Sequence, residues 1–431
     1  MIALCIDLKS FYASVECVYR NLDSMNTKLV VADESRGTGT ICLAVSPALK
    51  ELGVKNRCRL FEIPKDLDYI IAKPRMKAYM EKSAEIYSIY LKYVSKDDIH
   101  VYSIDECFID ITDYLKLYNL TPYELAKKMI DDVYETTGIC ATCGIGTNLY
   151  LAKIAMDITA KKNASHIAYL DEELFKETLW HHTPITDFWN ISYGTKNRLI
   201  KHGIFDMHGI AMCDEKILYK EFGINAELLI DHSKGIETCT IKDIHNYKSK
   251  SNSLSNSQVL FTDYNYDDAL LVLKEMVDIN VSELVDKGLV TPSISLSVGY
   301  SDKMPYNYET YKSIPSTGGT MKLNTITNSR RELIDSFVRL YNKTTIPNTP
   351  IRRITISFNN VVEEIYQTYD FFSDLKELEK EKKLVKAVNS INQKYGKNSI
   401  LKAMDLDPKA TTKLRNQLIG GHNSGEDDEN W

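Results

Sequence analysis

Apolar residues in this chain recur in two rhythms, a period of two and a period near 3.6, and the rhythm switches repeatedly. Alternating or unbroken short apolar runs predict strands. Apolar positions three and four apart predict amphipathic helices. Residues 2–6 form an apolar strand that meets a charge at once, at Asp7. Phe11, Val15 and Val18 then recur at helical spacing. Residues 28–32 and 40–45 read as strands, with the polar turn 33–39 between them. A helix over 47–52 ends at Gly53, a usual stop signal. Residues 74–95 read as a helix with Met80, Ala84, Tyr87 and Leu91 on its apolar face. Residues 101–111 read as a strand interrupted by Asp105 and Glu106. A helix over 122–137, a strand over 139–145 and a helix over 149–159 follow. This alternation predicts an α+β or α/β layer arrangement for residues 2–165.

The later part is organised differently. Residues 171–232 carry short helical segments. Residues 248–257 are Ser, Asn and Lys with one leucine, a composition that predicts a linker. Beyond it lie a strand (258–261), a helix (267–287), alternating residues 293–298, a helix (329–342) and alternating residues 354–358. These predict a separate small α+β domain. The tail from Glu363 holds one charged helix over 375–392 and then a polar end.

At 431 residues the chain has room for about three domains. No apolar run reaches the roughly 20 residues of a membrane span. The N-terminus has no basic region before its apolar run, so it reads as a strand and not a signal peptide. Nine scattered cysteines predict reduced thiols in a cytoplasmic protein. The Cys140–Cys143 pair lies in an apolar strand-like stretch and reads as structural. The net charge of −6 does not favour a nucleic-acid binder. A DNA-binding reading therefore requires local basic faces, and residues 245–360 are the least acidic part of the chain.

The acids inside apolar strands change the picture. A buried carboxylate is costly unless it is paired or binds a metal. Asp7 ends one apolar strand, and Asp105 and Glu106 interrupt another. Adjacent strand residues point to opposite faces, so Asp105 and Glu106 share a site only if the chain turns there. A hairpin with its tip beside the end of the first strand meets that condition. Oxygen-only ligands suit hard ions such as Mg²⁺, and two such ions suit phosphoryl transfer. The plain alternative is three acids exposed at strand ends, and spacing alone does not choose between the two.

Asp7-Leu-Lys-Ser-Phe-Tyr-Ala-Ser-Val-Glu16 and Tyr102-Ser-Ile-Asp-Glu-Cys-Phe-Ile-Asp110 resemble the two signature motifs of Y-family translesion DNA polymerases. The resemblance covers roughly residues 1–360. Asn56-Arg-Cys-Arg-Leu-Phe-Glu-Ile-Pro64 and Ile419-Gly-Gly-His-Asn-Ser-Gly-Glu426 resemble the UmuC-like members of Gram-positive bacteria, their plasmids and phages. What this last segment does is not legible in it. The resemblance implies a right-hand polymerase: palm at 1–10 and 74–165, fingers at 11–73, thumb at 166–234, linker at 235–257, little finger at 258–360 and tail at 361–431. It implies template-directed, two-metal nucleotidyl transfer from dNTPs to a primer 3′-hydroxyl, in damage tolerance and SOS mutagenesis. Asp7, the Leu8 carbonyl, Asp105 and Glu106 become metal ligands for two Mg²⁺, with Mn²⁺ as a substitute. Phe11 and Tyr12 match the aromatic pair under the incoming sugar, with Tyr12 as the steric gate.

The family's Tyr-x-x-Arg on the fingers helix is replaced here by Pro47 and Lys50. Lysine keeps the charge and loses the bidentate fork. Ser46 is the candidate for the missing hydroxyl contact. Lys161 matches a palm lysine that reaches the phosphates, with Lys162 as its neighbour and rival. Residues 186–204 follow a helix-hairpin-helix layout, but the usual Gly-Ile-Gly turn lacks its first glycine. His181 and His182, upstream of it, read as structural or surface residues. Lys248, Lys250, Arg330, Arg331, Arg352 and Arg353, beside the alternating Ser/Thr strands, suggest a polar sheet face toward DNA. Gln367-Thr-Tyr-Asp-Phe-Phe372 resembles a sliding-clamp-binding peptide, with Gln367, Phe371 and Phe372 as its anchors. The alternative is that both phenylalanines pack on the little finger. SOS accessory proteins are further implied partners, and no membrane is. Two competing readings remain: a DNA-bound recruitment scaffold without catalysis, and a nucleotidyl cyclase built on a similar sheet.

Overall fold

The computed structural model describes residues 1–249, 251–301, 306–307, 312–313, 315–371 and 373–425. It divides into two compact units, one of residues 1–247 with the segment from Asn423, the other of residues 248–422.

The first unit is built on a five-stranded sheet. Its strands are β1 (Ala3–Leu8), β5 (Ile99–Val101), β6 (Glu106–Asp110), β7 (Ala141–Gly146) and β8 (Ile167–Leu170), in the order β5-β6-β1-β7-β8. β1 runs antiparallel to both β6 and β7, and β7 runs parallel to β8. β5 and β6 form the hairpin expected from the acidic interruption. A smaller sheet joins β2 (Leu29–Val31), β3 (Ala44–Val45) and β4 (Ile70–Ala72), with β2 central. The expected strand over 40–45 is thus shortened to its last two residues plus one bridge, Ile41 to Arg59. α1 (Phe11–Tyr19) and α2 (Pro47–Glu51) fall where periodicity places them.

α3 (Met76–Tyr90) forms, but its buried face is Met76, Tyr79, Ile86, Ile89 and Tyr90. Met80 and Leu91, expected on the inner face, are 51% and 42% exposed. Large apolar residues line both sides of this helix, and tertiary packing selects the side on which Tyr79 and Ile86 lie. α4 (Thr112–Tyr118) and α5 (Pro122–Thr137) follow. Thr121 and Glu124 form a capping box on α5, and Gly138 ends it in the left-handed conformation. α6 (Leu149–Ile154) continues as a π-turn over 155–159.

Helix α6 lies unusually close to the sheet. A Cβ on Gly144 would sit 2.0 Å from the Ala152 carbonyl oxygen, and one on Gly146 2.1 Å from the Ala152 nitrogen. Glycine at both positions is what permits the approach. Five short helices follow: α7 (Glu172–Leu179), α8 (Tyr193–Ile200), α9 (Met207–Met212), α10 (Glu215–Phe222) and α11 (Asn225–Ser233). They share one core with α6, in which Phe175, Phe188, Leu199, Met207 and Leu218 are buried.

The expected linker over 235–257 is largely structured. α12 (Ile241–Asn246) belongs to the first unit, and its Ile241 is buried with Ala3, Cys5 and Phe108. β9 (Leu254–Tyr264) begins within the Ser/Asn run. Polar residues there alternate with inward ones, so a half-solvated strand reads by composition as a linker.

The second unit has a sheet in the order β13-β10-β14-β9. β10 is Leu289–Tyr300, β11 Tyr306–Asn307, β12 Lys312–Ser313, β13 Ser316–Thr327, β14 Ile351–Asn359 and β15 Val362–Glu363. The β13 strand is absent from the sequence reading, because its two glycines and scattered apolar residues blur the alternation. α13 (Tyr266–Asp286) and α14 (Arg330–Thr344) cover one face, burying Ile294, Leu296, Val298, Ile354, Ile356 and Phe358. The other face carries paired hydroxyls: Ser255 with Ser357, Ser257 with Thr355, and Ser295 with Thr320.

The tail is not a polar end. α15 (Leu375–Tyr395) packs on α13. Beyond it, the buried Glu275 carboxylate accepts the backbone N–H groups of Thr411 and Thr412 at 2.8 and 2.9 Å. That carboxylate therefore caps the start of α16 (Thr412–Arg415). Among the described residues, no helix is long and apolar enough to cross a membrane.

Candidate active site

β1 and β6 place Asp7 directly opposite Glu106. The turn before β6 carries Asp105, whose carbonyl accepts the Leu8 N–H at 2.9 Å. All three acids and the Leu8 backbone thus meet at one end of the main sheet. Burial raises the Asp7 carboxyl to about 6; Lys161 opposes the shift, and Asp105 and Glu106 add to it. Three acids on neighbouring backbone positions form a concentrated anionic centre.

Two lysines balance it. Lys153 lies within 2.7 Å of Glu106 and 2.9 Å of Asp157, and its side chain is buried. Burial penalises this ammonium, yet Cys5, Asp157 and Glu106 hold its pKa above the ordinary lysine range. Lys161 bonds Asp157 at 2.8 Å and approaches Asp7 at 3.6 Å. Sequence reasoning misses Lys153 and Asp157. Their signal is the stripe Lys153, Asp157, Lys161, one charge every fourth residue in an otherwise apolar segment. The same stripe distinguishes Lys161 from Lys162: the former turns to the acids.

Lys50, on α2, donates to the Ser10 hydroxyl at 2.8 Å. Burial lowers its pKa, and Asp7 works against that shift. Lys50 thus stands near Asp7, as Lys161 does. Ser46 does not serve as expected. It is fully buried, and its Oγ accepts the Leu29 N–H at 3.0 Å. The hydroxyl closes the β2–β3 pairing and is not presented to a ligand.

Phe11 is 3% exposed and packed in the core, so Tyr12 alone of the pair is half-exposed. The Tyr12 ring stacks on Tyr79, centroids 4.5 Å apart and planes 19° from parallel. Tyr79 is buried, and its hydroxyl donates to Glu16 at 2.7 Å. Burial first, then the Glu16 charge, keeps that phenol protonated. The Glu16 carboxylate, 0% exposed, also accepts bonds from Arg20 and from both arms of Arg75 at 3.0 and 2.9 Å. Sequence reasoning passes over Tyr79, because periodicity assigns the inner face of α3 to the opposite side.

In the α8 region, Asn190 adopts φ 66° where the usual turn has glycine. Asparagine tolerates that left-handed conformation, so the turn is kept without the glycine. Ser192 precedes α8 without a side-chain capping bond. Upstream, His181, Asp206 and His208 bring their donor atoms within 4.8 Å of one another. Spacing alone gives His181 no such neighbours. Asp206 caps α9 through the Gly209 N–H at 2.7 Å and pairs with His181 at 2.9 Å, which gives this carboxylate a structural role.

Two of the basic residues singled out in the second unit are ion-paired. Arg330 is bound to Asp278, and Arg352 lies 3.6 Å from Asp263. Lys250 falls outside the described residues. Gln367 and Tyr369 line a cavity of about 280 Å³ with Ser329, Arg330 and Leu375. Phe371 is fully exposed, which removes the packing alternative for that residue; Phe372 lies outside the described residues.

Residues 6–157 match the impB/mucB/samB family, and residues 251–369 match the impB/mucB/samB family C-terminal domain. The Putative UV-damage repair protein UvrX of Bacillus subtilis (strain 168) is 32% identical over 425 residues, 98% of this chain and 97% of that protein. DNA polymerase IV 2 of the same organism is 29% identical over 420 residues, 97% of each. A solved Y-family DNA polymerase chimera, Dbh-Dpo4(243-245)-Dbh, shares the fold with a TM-score of 0.63 and 21% identity, over 84% of this chain and 100% of that one. These matches leave the scaffold and cyclase readings without support. The chain belongs to the impB/mucB/samB family of UmuC-like Y-family polymerases, and it is a DNA-directed DNA polymerase of the translesion type.

Proposed function

We propose that the polymerase extends primers past damaged template bases by two-metal nucleotidyl transfer, with Asp7, Asp105, Glu106 and the Leu8 carbonyl as the metal ligands. The observation that carries this is the meeting of three carboxylates and a backbone turn at one sheet end, with the Asp7 carboxyl raised to about 6. An all-oxygen donor set fits Mg²⁺, with Mn²⁺ as an alternative. When bound, two such ions lower the pKa of the attacking 3′-hydroxyl and stabilise the leaving pyrophosphate. The protein's own groups do the rest. Lys161 and Lys50, both near Asp7, attract the triphosphate. Lys153 holds Glu106 in place. Open amides at the start of α8 hold a backbone phosphate of the DNA. The hydroxyl-lined face of the second unit's sheet faces the duplex.

The damage-tolerance role, within an SOS response and with SOS accessory proteins as partners, rests on the family and on the name of the UvrX relative. Nine free cysteines support a cytoplasmic setting. Primer extension with Mg²⁺ and dNTPs on a lesion-bearing template tests the reading. Bypass of the lesion is the expected result, and extension that always stops one base before it would overturn the translesion role.

Tyr12 is the sugar gate in this reading. A 2′-hydroxyl forced against its ring costs about 1–3 kcal/mol, as overpacking does. Tyr12→Ala is therefore expected to reduce discrimination against ribonucleotides by roughly 5- to 150-fold. Single-nucleotide incorporation kinetics with dNTP and rNTP pairs measure this, and an unchanged ratio rejects the gate.

The sliding clamp is the proposed protein partner, engaged through Gln367, Phe371 and Phe372. Fully exposed Phe371, with Tyr366 and Tyr369 at 60% and 53%, supports an aromatic anchor offered to a partner. Replacing Phe371 and Phe372 with alanine is expected to weaken clamp binding by at least about 2 kcal/mol. Titration calorimetry against the clamp checks it, and undiminished affinity removes the assignment.

A further inference from the structure

The segment Ile419-Gly-Gly-His-Asn-Ser-Gly-Glu426 has no role in the site described so far, yet part of it is seated on that site's support. The Ser424 carbonyl accepts the Lys77 N–H at 3.0 Å. Lys77 is in the first turn of α3, where amides have no partner within the helix. Ser424 is 5% exposed. Gly425 has φ 88°, and its N–H donates to the Asn423 side chain at 2.7 Å. It lies flush on the stem of Arg75: a Cβ there would come within 2.9 Å of Arg75 Cβ and 3.2 Å of its Cα. Both the backbone conformation and the close approach call for glycine.

Arg75 is the outer end of a short relay. Its guanidinium makes a two-pronged bond to the fully buried Glu16 carboxylate. Glu16 also accepts the Tyr79 hydroxyl, and Tyr79 is the platform on which Tyr12 stacks. A buried charge tolerates little loss of its donors, so Arg75 and Tyr79 are held together by Glu16. Displacing the Arg75 stem shifts one of the prongs and, with it, the Tyr79 ring.

We propose that Asn423–Ser424–Gly425 is a positioning element of the nucleotide site, which seats Arg75 and thereby fixes the Tyr12 ring through Glu16 and Tyr79. The inference rests on the reading of Tyr12 as the sugar gate. Gly425→Val in the full chain is expected to reduce discrimination between dNTP and rNTP by roughly tenfold, since small displacements of a positioning group have large kinetic effects. In a Tyr12→Ala chain the same substitution is expected to add nothing. The readout is the ratio of kcat/KM for matched dNTP and rNTP, which a merely structural role would leave unchanged while lowering the thermal midpoint.

The outcomes separate cleanly. If Tyr12→Ala alone leaves the ratio unchanged, the gate reading fails and this inference falls with it. If Tyr12→Ala lowers the ratio but Gly425→Val does not, only the present inference is overturned. Equal losses from Gly425→Val with and without Tyr12 overturn it also, because the effect then runs by another route. Arg75→Lys, which keeps the charge but removes the fork, is the second variant should Gly425→Val fail to fold. It is expected to reproduce the loss, and an unchanged ratio counts against the relay.

Discussion

Asp105→Ala is expected to abolish nucleotide incorporation, by about a thousandfold or more, while leaving the thermal midpoint close to that of the parent chain. The size of the loss follows from removing a charge on which transition-state stabilisation depends. The sparing of stability follows from local geometry. Asp105 is half-buried at a turn, and its side chain bonds the Ser103 hydroxyl two residues away, at 2.6 Å. The backbone contact that holds the turn uses the Asp105 carbonyl, which alanine retains. Primer extension alongside a melting curve measures both. Residual activity within tenfold of wild type would remove Asp105 from the metal site.

Asp7→Asn is expected to stabilise the metal-free protein while destroying its activity. Folding raises the Asp7 carboxyl from the ordinary 3.8 to about 6. The folded state therefore holds this proton to higher pH than the unfolded state does. The stability that the proton confers is present below about pH 4 and is lost as pH rises through 6. Above that, ionised Asp7 costs up to about 3 kcal/mol, because a tenfold change in proton affinity is worth about 1.36 kcal/mol. Asparagine removes that cost, and Lys161 keeps its bond to Asp157. In chelator, the variant's midpoint is expected to match wild type near pH 4 and exceed it by several degrees at pH 8. Adding Mg²⁺ should then raise wild type and close the gap. A difference that does not change with pH would show that Asp7 is not the group responsible.

The carboxylates are legible in the sequence because an acid in an apolar strand is anomalous, and anomalies survive without coordinates. The strand period shows only that a turn is needed to join them; the β5–β6 hairpin supplies it. Lys153 and Asp157 are not legible. Their importance comes from how closely α6 approaches the sheet, and that depends on Gly144 and Gly146 in a different element. Ser46 fails for the opposite reason: a serine beside a strand looks available until its hydroxyl is found closing the backbone pairing. The face of α3 is misread because Met80 and Leu91 are as apolar as Tyr79 and Ile86. Periodicity finds a helix more surely than it finds its inner side. β13 and the first half of β9 are lost to glycine and serine, which describe a solvated strand and a loop equally well.

In the glycine-poor turn before α8 the left-handed backbone is carried by an asparagine. Asn190 has φ 66° there. On α2 the departure is of another kind. Lys50 keeps a positive charge near Asp7 but supplies a single point of contact where a guanidinium would supply two.

The path of the chain has one more consequence. It leaves the first unit after residue 247 and returns to it at Asn423. During synthesis, everything around Asp7, Asp105 and Glu106 emerges from the ribosome while the segment that covers Arg75 is still untranslated. The Lys77 amide has no Ser424 carbonyl to meet until the second unit has been made. The contact on Arg75 therefore forms only after the whole second unit has been synthesised.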